Sequence, residues 1–590
     1  MCGFLGVGGK SYYENNFKEI NDAFNWLKHR GPDETTKKII GDFFLGFHRL
    51  AIVGVKDKNS SQPITLKRKN IEMMFNGEIF NYKDLAKKNL DNHLKNLKSD
   101  SMVLAELIDK FEFSCLDLLD GMFSIALIDP TLKKIILIRD RYGIKPLYYS
   151  IQNGNFIFSS HIKPILEITN YRKPNKNAIF EYLNSGLYDH SEQTFFDGIF
   201  AVPPGQIIEF DLNSNSLKKT KWYEIRNYLE LQERKNKKEL TDEVESVIKD
   251  VINDYIPQEV DFTINVSGGV DSTLLVDSVK KFSNNNFLIQ NQDYEGQYSE
   301  SPWIDEYCKI LNINPKYHLI TPEYIADDLY NTFEYQSQPF GGVTVPGYSP
   351  LYKHAKNKKC KVVLDGTGLD EAFLGYPRYG EGFINNKNKF WRSSLKGSTG
   401  PTDKKGIRPN AISDNLSKNA NPLESFSSFL EGNSNLPPSR YMSLLDLTSD
   451  KIPRTTRFTD HASSRFSQEL RTPFLSHKLM HLGFSIPNKY LISEKGTKLI
   501  IRELLSKRGL GKIGNAPKRY IQSPQNEWIA KEFRPMIQNF LFSDHFLEQG
   551  WLKPEIVKKE YEEYINSEKS NSFFIWQWFS LAYWSKLNFI

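Results

Sequence analysis

The sequence predicts two folds in series: a layered α+β domain of paired antiparallel strands with flanking helices, then an α/β domain built on a parallel sheet. Three observations carry this reading. Over residues 1–210, short apolar runs at 43–53, 71–75, 121–128 and 134–138 alternate with tight turns, the mark of many paired strands. After the charged stretch 230–238, apolar residues at Leu240, Val244, Val247, Ile248, Val251 and Ile252 recur at helical spacing. Val260, Phe262, Ile264 and Val266 then alternate as a strand that enters a glycine turn, and a second helical run follows over 273–279.

Along the first half, Asp129-Pro130 closes a turn between two strands. Asn153-Gly154, flanked by apolar triplets at 147–149 and 156–158, predicts a tight hairpin. Residues 211–239 read as a linker, and 240–590 as the second domain. Within it, 385–440 is rich in Asn, Ser, Lys, Gly and Pro with few periodic apolar positions, which predicts a mobile surface insertion. The closing stretch 571–590 is rich in Phe and Trp, yet Gln577, Ser580, Ser585 and Lys586 interrupt it well short of a membrane span. A buried or interfacial helix is expected there.

A chain of 590 residues is too long for one core. The net charge of +6, from 77 basic and 71 acidic residues, is too weak and too dispersed to imply a nucleic-acid partner. Phosphate ligands therefore have to be argued from motifs. Cys2, Cys115, Cys308 and Cys360 are scattered, with no CxxC pair and no zinc spacing, which fits reduced thiols in a cytoplasmic enzyme. Lys10 and the polar run 11–18 leave no room for a secretory signal.

Two local features carry chemistry. Cys2 directly follows the initiator methionine, so removal of Met1 would give one residue both a thiol and a free α-amine. That amine titrates near ~8 and can take the thiol's proton without a histidine. The second feature is Ser267-Gly268-Gly269-Val270-Asp271-Ser272 between strand and helix. Glycines there let backbone N–H groups approach an anion at a helix N-terminus. The loop lacks the Gly-Lys-Ser/Thr ending of a Walker A motif, and Asp271 would repel phosphate unless a metal lay between them. The hexapeptide resembles the pyrophosphate loop of ATP pyrophosphatases, which implies ATP-magnesium and adenylation of a carboxylate.

A terminal cysteine and this loop in one chain resemble the glutamine-hydrolysing asparagine synthetase family of the B type, an N-terminal nucleophile glutaminase domain followed by an ATP-pyrophosphatase domain. Further stretches occur in the family's order: His29-Arg30-Gly31-Pro32-Asp33, Arg49-Leu50-Ala51-Ile52-Val53, Asn76-Gly77-Glu78-Ile79-Phe80-Asn81, Ser99-Asp100-Ser101, and Arg139-Asp140 with 143–149. The resemblance implies that Cys2 attacks the glutamine amide, that Asn76 and Gly77 form the oxyanion hole, that Arg49 holds the α-carboxylate, and that Glu78 and Asp100 hold the α-ammonium. A zwitterionic ligand needs such charges beside the nucleophile. In the second half, 364–376 resembles the family's SGEGxDExFGGY, and Asp460, Glu469, Arg471, Pro473 and Phe474 fit its D-x(8)-ExRxPF element. By resemblance, Asp271 and Asp370 hold magnesium, and Val266, Ile289, Asp365 and Gly366 contact adenosine beside the loop residues Ser267, Gly268, Gly269 and Ser272. Lys498, in the family's GTK segment, neutralises the leaving pyrophosphate.

The sequence departs from the family at a few positions in the second half. Thr367 stands where the family has a glutamate tied to acyl-adenylate formation, Asp365 where serine is common, Ser476 where aspartate follows PFL, and His161 where glutamate follows Phe-Ser-Ser. The family's usual acceptor, aspartate, is the first expectation. Amidation of another carboxylate, such as a uronic-acid sugar in surface polysaccharide synthesis, is the alternative, and a ligand-sensing protein with a decayed second site is another. The resemblance also implies an internal ammonia passage between domains, and a homodimer is common in the family.

Overall fold

The computed structural model describes residues 1–380, 406–420, 436–494, 496–518, 523–566 and 571–589. Its first half stacks two six-stranded antiparallel sheets. One runs Ile199–Ala201, Tyr148–Gln152, Asn155–Ser159, Gly3–Gly8, Phe43–Arg49, Glu34–Ile40. The other runs Ser216–Lys221, Gln206–Asp211, Lys134–Arg139, Gly121–Asp129, Ile71–Ile79, Ile64–Leu66. Strand alternation builds the layers. Phe4 and Met74 point between the sheets into a core with Phe43, Phe47, Leu137 and Phe158, and Cys2 belongs to the same cluster. Leu5 and Val7 face outward under Ile20, Phe24 and Ile165, while Met73 and Phe75 face Val103, Leu104 and Leu107. The domain is therefore a helix–sheet–sheet–helix sandwich. Its predicted hairpin is present, with Asn153 at φ 51° and Gly154 at φ 79° between two paired strands.

The stretch 211–239 is not the plain linker its sequence suggested. Ser216–Lys221 is an edge strand paired along its length with Gln206–Asp211. The helix Lys237–Tyr255 then opens the second half with a capping box between Asn236 and Glu239.

The second half holds a five-stranded parallel sheet in the order Pro315–Leu319, Leu288–Asp293, Phe262–Asn265, Val362–Leu364, Glu469–Arg471. Of the expected insertion 385–440, residues 406–420 are packed: Ala411 and Ile412 are buried, and Arg408 pairs with Glu560. Residues 381–405 and 421–435 lie outside the described residues. The C-terminal helix Phe573–Asn588 is buried as expected, and its Gln577 amide donates to the Tyr182 carbonyl of the first half. No described helix is long and apolar enough to cross a membrane.

Both halves share a polar seam. Arg30 meets Asp460 at 2.9 Å and donates to Ser464 at 3.0 Å, and Arg457 meets Asp189 at 2.7 Å. Beside it His29, His161 and His461 are packed together with Trp26 and Tyr335. His161 is structural here: Nε2 bonds the Tyr335 carbonyl at 2.7 Å, while Nδ1 accepts from Lys163 N at 3.1 Å, which fixes a neutral ring. Burial pushes all three imidazoles down, His29 to about 3. Below the ordinary histidine range the unfolded chain gains protons that the folded chain refuses, so this contribution is present above about pH 6.5 and fades as pH falls. Among the described residues His461 has no hydrogen-bond partner on either ring nitrogen. Denaturant titrations of wild type and His461→Leu at pH 6.5 and 5.5 should show the variant losing about 1 kcal/mol less over that unit; parallel losses would contradict this account.

Candidate functional site

Cys2 lies at the start of the strand Gly3–Gly8, and its main-chain N–H donates to Asn76 Oδ1 of the facing sheet at 2.8 Å. Its carbonyl accepts from Arg30 Nε at 3.1 Å. The Asn76 carbonyl is thus engaged, while its Nδ2 makes only a 3.5 Å contact to Ser124 Oγ and stays available as a donor. Gly77 adopts φ +151°, and a Cβ there would come within 2.0 Å of the Met122 carbonyl oxygen, so only glycine fits. Burial pushes the Cys2 thiol up, against the nearby α-amine. That amine, on Met1, is itself pushed down by burial to about 6.

Arg49, Glu78 and Asp100 surround the thiol in a cleft that Glu469 also lines. Arg49 donates to the carbonyls of Val53 at 3.2 Å and Gly54 at 2.9 Å, which fixes its fork at the cleft edge. Asp100 accepts from the N–H groups of Ile79 at 3.1 Å and Ser101 at 2.8 Å, yet burial pushes its carboxyl up to about 7. Glu78 lines the cleft and also pairs with Arg471 of the second half. The cleft is small, about 30 Å³.

The second site lies beyond the carboxyl ends of the parallel strands, where ligands of open α/β sheets bind. A cavity of about 320 Å³ is lined by Val266, Ser267, Gly269, Asp271, Ser272, Asp365, Gly366, Thr367 and Asp370. Ser267 Oγ and Ser272 Oγ are 2.9 Å apart across the loop, and the helix Val270–Phe282 starts inside it. Gly268 faces away, where a Cβ would lie 2.7 Å from Trp303 Cβ. Ile289 is not at the cavity. It is buried in the sheet core, and Asn291 and Gln292 farther along its strand line the cavity instead.

Lys498 Nζ bridges Asp271 and Asp370, 2.5 Å from the latter, and Lys518 Nζ holds the other Asp370 oxygen at 2.5 Å. Burial would raise the Asp370 carboxyl, but Lys498, Lys518 and Lys451 together hold it well below its usual range. For Asp271 burial wins over Lys498, and the shift is upward. Two carboxylates at a phosphate loop suit magnesium, which takes one or two protein carboxylates and completes its shell with phosphate oxygens and water. The donor set fits that ion in the presence of a nucleotide. Thr367 donates its N–H at 2.8 Å and its hydroxyl to Asp365 Oδ1, and burial raises that carboxyl.

Several cavity residues were not legible in the sequence. Gln292 is 6% exposed, and neither amide atom has a hydrogen-bond partner among the described residues. Lys451 Nζ sits 3.5 Å over the Tyr376 ring centroid, and the Tyr376 hydroxyl donates to Glu371 at 3.1 Å. Burial pushes Lys451 down to about 8 and Glu371 up to about 7.

Residues 1–223 match the glutamine amidotransferase domain family, and residues 243–586 match the asparagine synthase family. A Methanocaldococcus jannaschii protein described as a putative glutamine-hydrolysing asparagine synthetase 2 is 30% identical over 66% of this chain and 79% of its own length. Asparagine synthetase 2 of Bacillus subtilis is 27% identical over 86% of this chain and 70% of its own. Asparagine synthetase 1 of the same organism is 25% identical over 100% and 97% respectively.

Proposed function

We propose, for a chain that belongs to the glutamine-hydrolysing asparagine synthetase family, a three-step amide transfer at two sites. In the first step Cys2 Sγ attacks the glutamine side-chain carbonyl carbon. The oxyanion forms against Asn76 Nδ2 and Gly77 N–H, the C–N bond breaks with a proton going to the leaving nitrogen, and ammonia departs. Water then cleaves the thioester to glutamate. Arg49 holds the α-carboxylate, and Glu78 and Asp100 the α-ammonium.

In the second step an acceptor carboxylate oxygen attacks the α-phosphorus of ATP in the 320 Å³ cavity, with pyrophosphate leaving. Asp271 and Asp370 would hold magnesium, which supplies charge neutralisation between the phosphates. Lys498 and Lys518 meet the charge that develops on the leaving pyrophosphate. Gln292, with a free donor and a free acceptor, suits the adenine edge. In the third step ammonia displaces AMP and leaves the amide.

Aspartate is the acceptor we favour. The observation that supports it is that Glu371 and Lys451 both line the cavity around Tyr376, since an acidic and a basic group together suit an acceptor that carries its own ammonium and carboxylate. Thr367 and Asp365 favour the second reading, a different carboxylate such as a uronic acid. Incubation with ATP-magnesium, glutamine and aspartate should yield asparagine, AMP and pyrophosphate in equal amounts. AMP formed only with another acid would replace aspartate, and no pyrophosphate with any carboxylate would sink both readings.

A further inference from the structure

The glutamine cleft is completed by a strand from the other half of the chain. The edge strand Glu469–Arg471 of the parallel sheet places Glu469 on the cleft wall, with Oε2 3.8 Å from the Met1 α-amine. Arg471 is wholly buried and commits its fork to three acceptors: Glu78, Glu469 Oε1 at 2.8 Å, and the Tyr255 carbonyl at 2.7 Å. Its guanidinium carbon lies 5.4 Å from the Phe80 ring centroid, and Phe80 stacks on Tyr255. Arg471 is the cation that pairs with Glu78 among the described residues.

Glu78, Asp100 and Glu469 bring three carboxylates to one small buried cleft, and like charges this close cannot all ionise without a cation. The positive groups facing them are Arg471, the α-amine and Lys145, of which the last two act on Glu469, together with Arg49 at the cleft edge. The planar fork can serve two carboxylates at once, which a lysine point charge cannot. The same residue reaches the second site through its backbone: its carbonyl accepts the N–H of Asp365 at 3.0 Å, and Asp365 carries Thr367 into the nucleotide cavity.

We propose that Arg471 is a positioning residue for glutamine binding: contributed by the synthetase half, it orients Glu78 and Glu469 toward the substrate ammonium and ties that arrangement through its backbone to Asp365. The inference rests on the glutaminase reading above. Full-length Arg471→Lys should raise the KM for glutamine about tenfold or more with kcat held within about threefold. The acid limb of kcat/KM should move to higher pH, because weaker pairing lets Glu78 and Asp100 hold protons longer. AMP formation with ammonium chloride as nitrogen donor should persist. A folded variant with unchanged KM and unchanged acid limb, or one whose glutamine- and ammonia-dependent rates fall together, would overturn the proposal. If Arg471→Lys fails to fold, Glu469→Gln serves. Removing one negative charge should move the acid limb the opposite way, to lower pH, and no movement would overturn the proposal equally. Wild type that releases no glutamate from glutamine would instead overturn the glutaminase reading itself.

Discussion

Cys2→Ala is expected to abolish glutamate release from glutamine, by a factor on the order of 10⁴ or more, while ammonium chloride still drives AMP formation. The cleft offers no substitute nucleophile of equal standing. Ser99 and Ser101 also line it, but their hydroxyls are hydrogen-bonded to each other at 2.5 Å. The thiol differs because its main-chain nitrogen already sits at Asn76 Oδ1, 2.8 Å away. Removing Met1 would turn that nitrogen into an α-amine whose acceptor is in place and whose lone pair can take the thiol proton. Burial holds the thiol above its usual range, so the reaction needs this adjacent base. Glutamate and AMP measured in parallel decide the matter, and equal loss of both in a folded variant would contradict two separate sites.

What the sequence made legible was local. The strand–turn–helix around 267–272, the Asn153-Gly154 hairpin and Gly77 are each dictated by backbone geometry within a few residues, where residue type and conformation are tightly linked. The edge strand Ser216–Lys221 escaped because all six side chains are exposed and only main-chain pairing holds it. Hydrophobic alternation has nothing to register there. Ile289 lies away from the cavity lining for a different reason. A residue midway along a parallel strand points into the sheet core, while ligands meet the carboxyl ends, where Asn291 and Gln292 stand. The pairing of Glu78 with Arg471 joins residues 393 positions apart in different domains, and no spacing rule reaches that far. The site was therefore readable where one loop builds it and opaque where two halves meet.

Lys498→Met is expected to cut pyrophosphate release by roughly 10²–10³ with any acceptor while leaving glutamate release from glutamine within about twofold. Lys498 adopts φ +55°, a left-handed conformation that costs a side-chain-bearing residue on the order of 1 kcal/mol. Its ammonium compensates by bridging Asp271 and Asp370, and the packing tolerates nothing larger nearby. A Cβ on Gly375 would come within 2.0 Å of Lys498 Cε and 1.9 Å of Asp370 Oδ1. Without Lys498 the two carboxylates repel each other in a buried site, and Asp370 keeps Lys518 as its ion-pair partner among the described residues. Protonation of one carboxylate then becomes the cheapest relief, so the variant's residual rate should rise with pH more steeply than that of wild type. Lys498→Arg should not restore the rate, since a planar fork cannot replace a compact charge set between two oxygens. Pyrophosphate release followed from pH 6 to 9 in the three proteins tests both statements. A Lys498→Met enzyme with wild-type rate and an unchanged pH profile would show that Lys518 alone meets the leaving group.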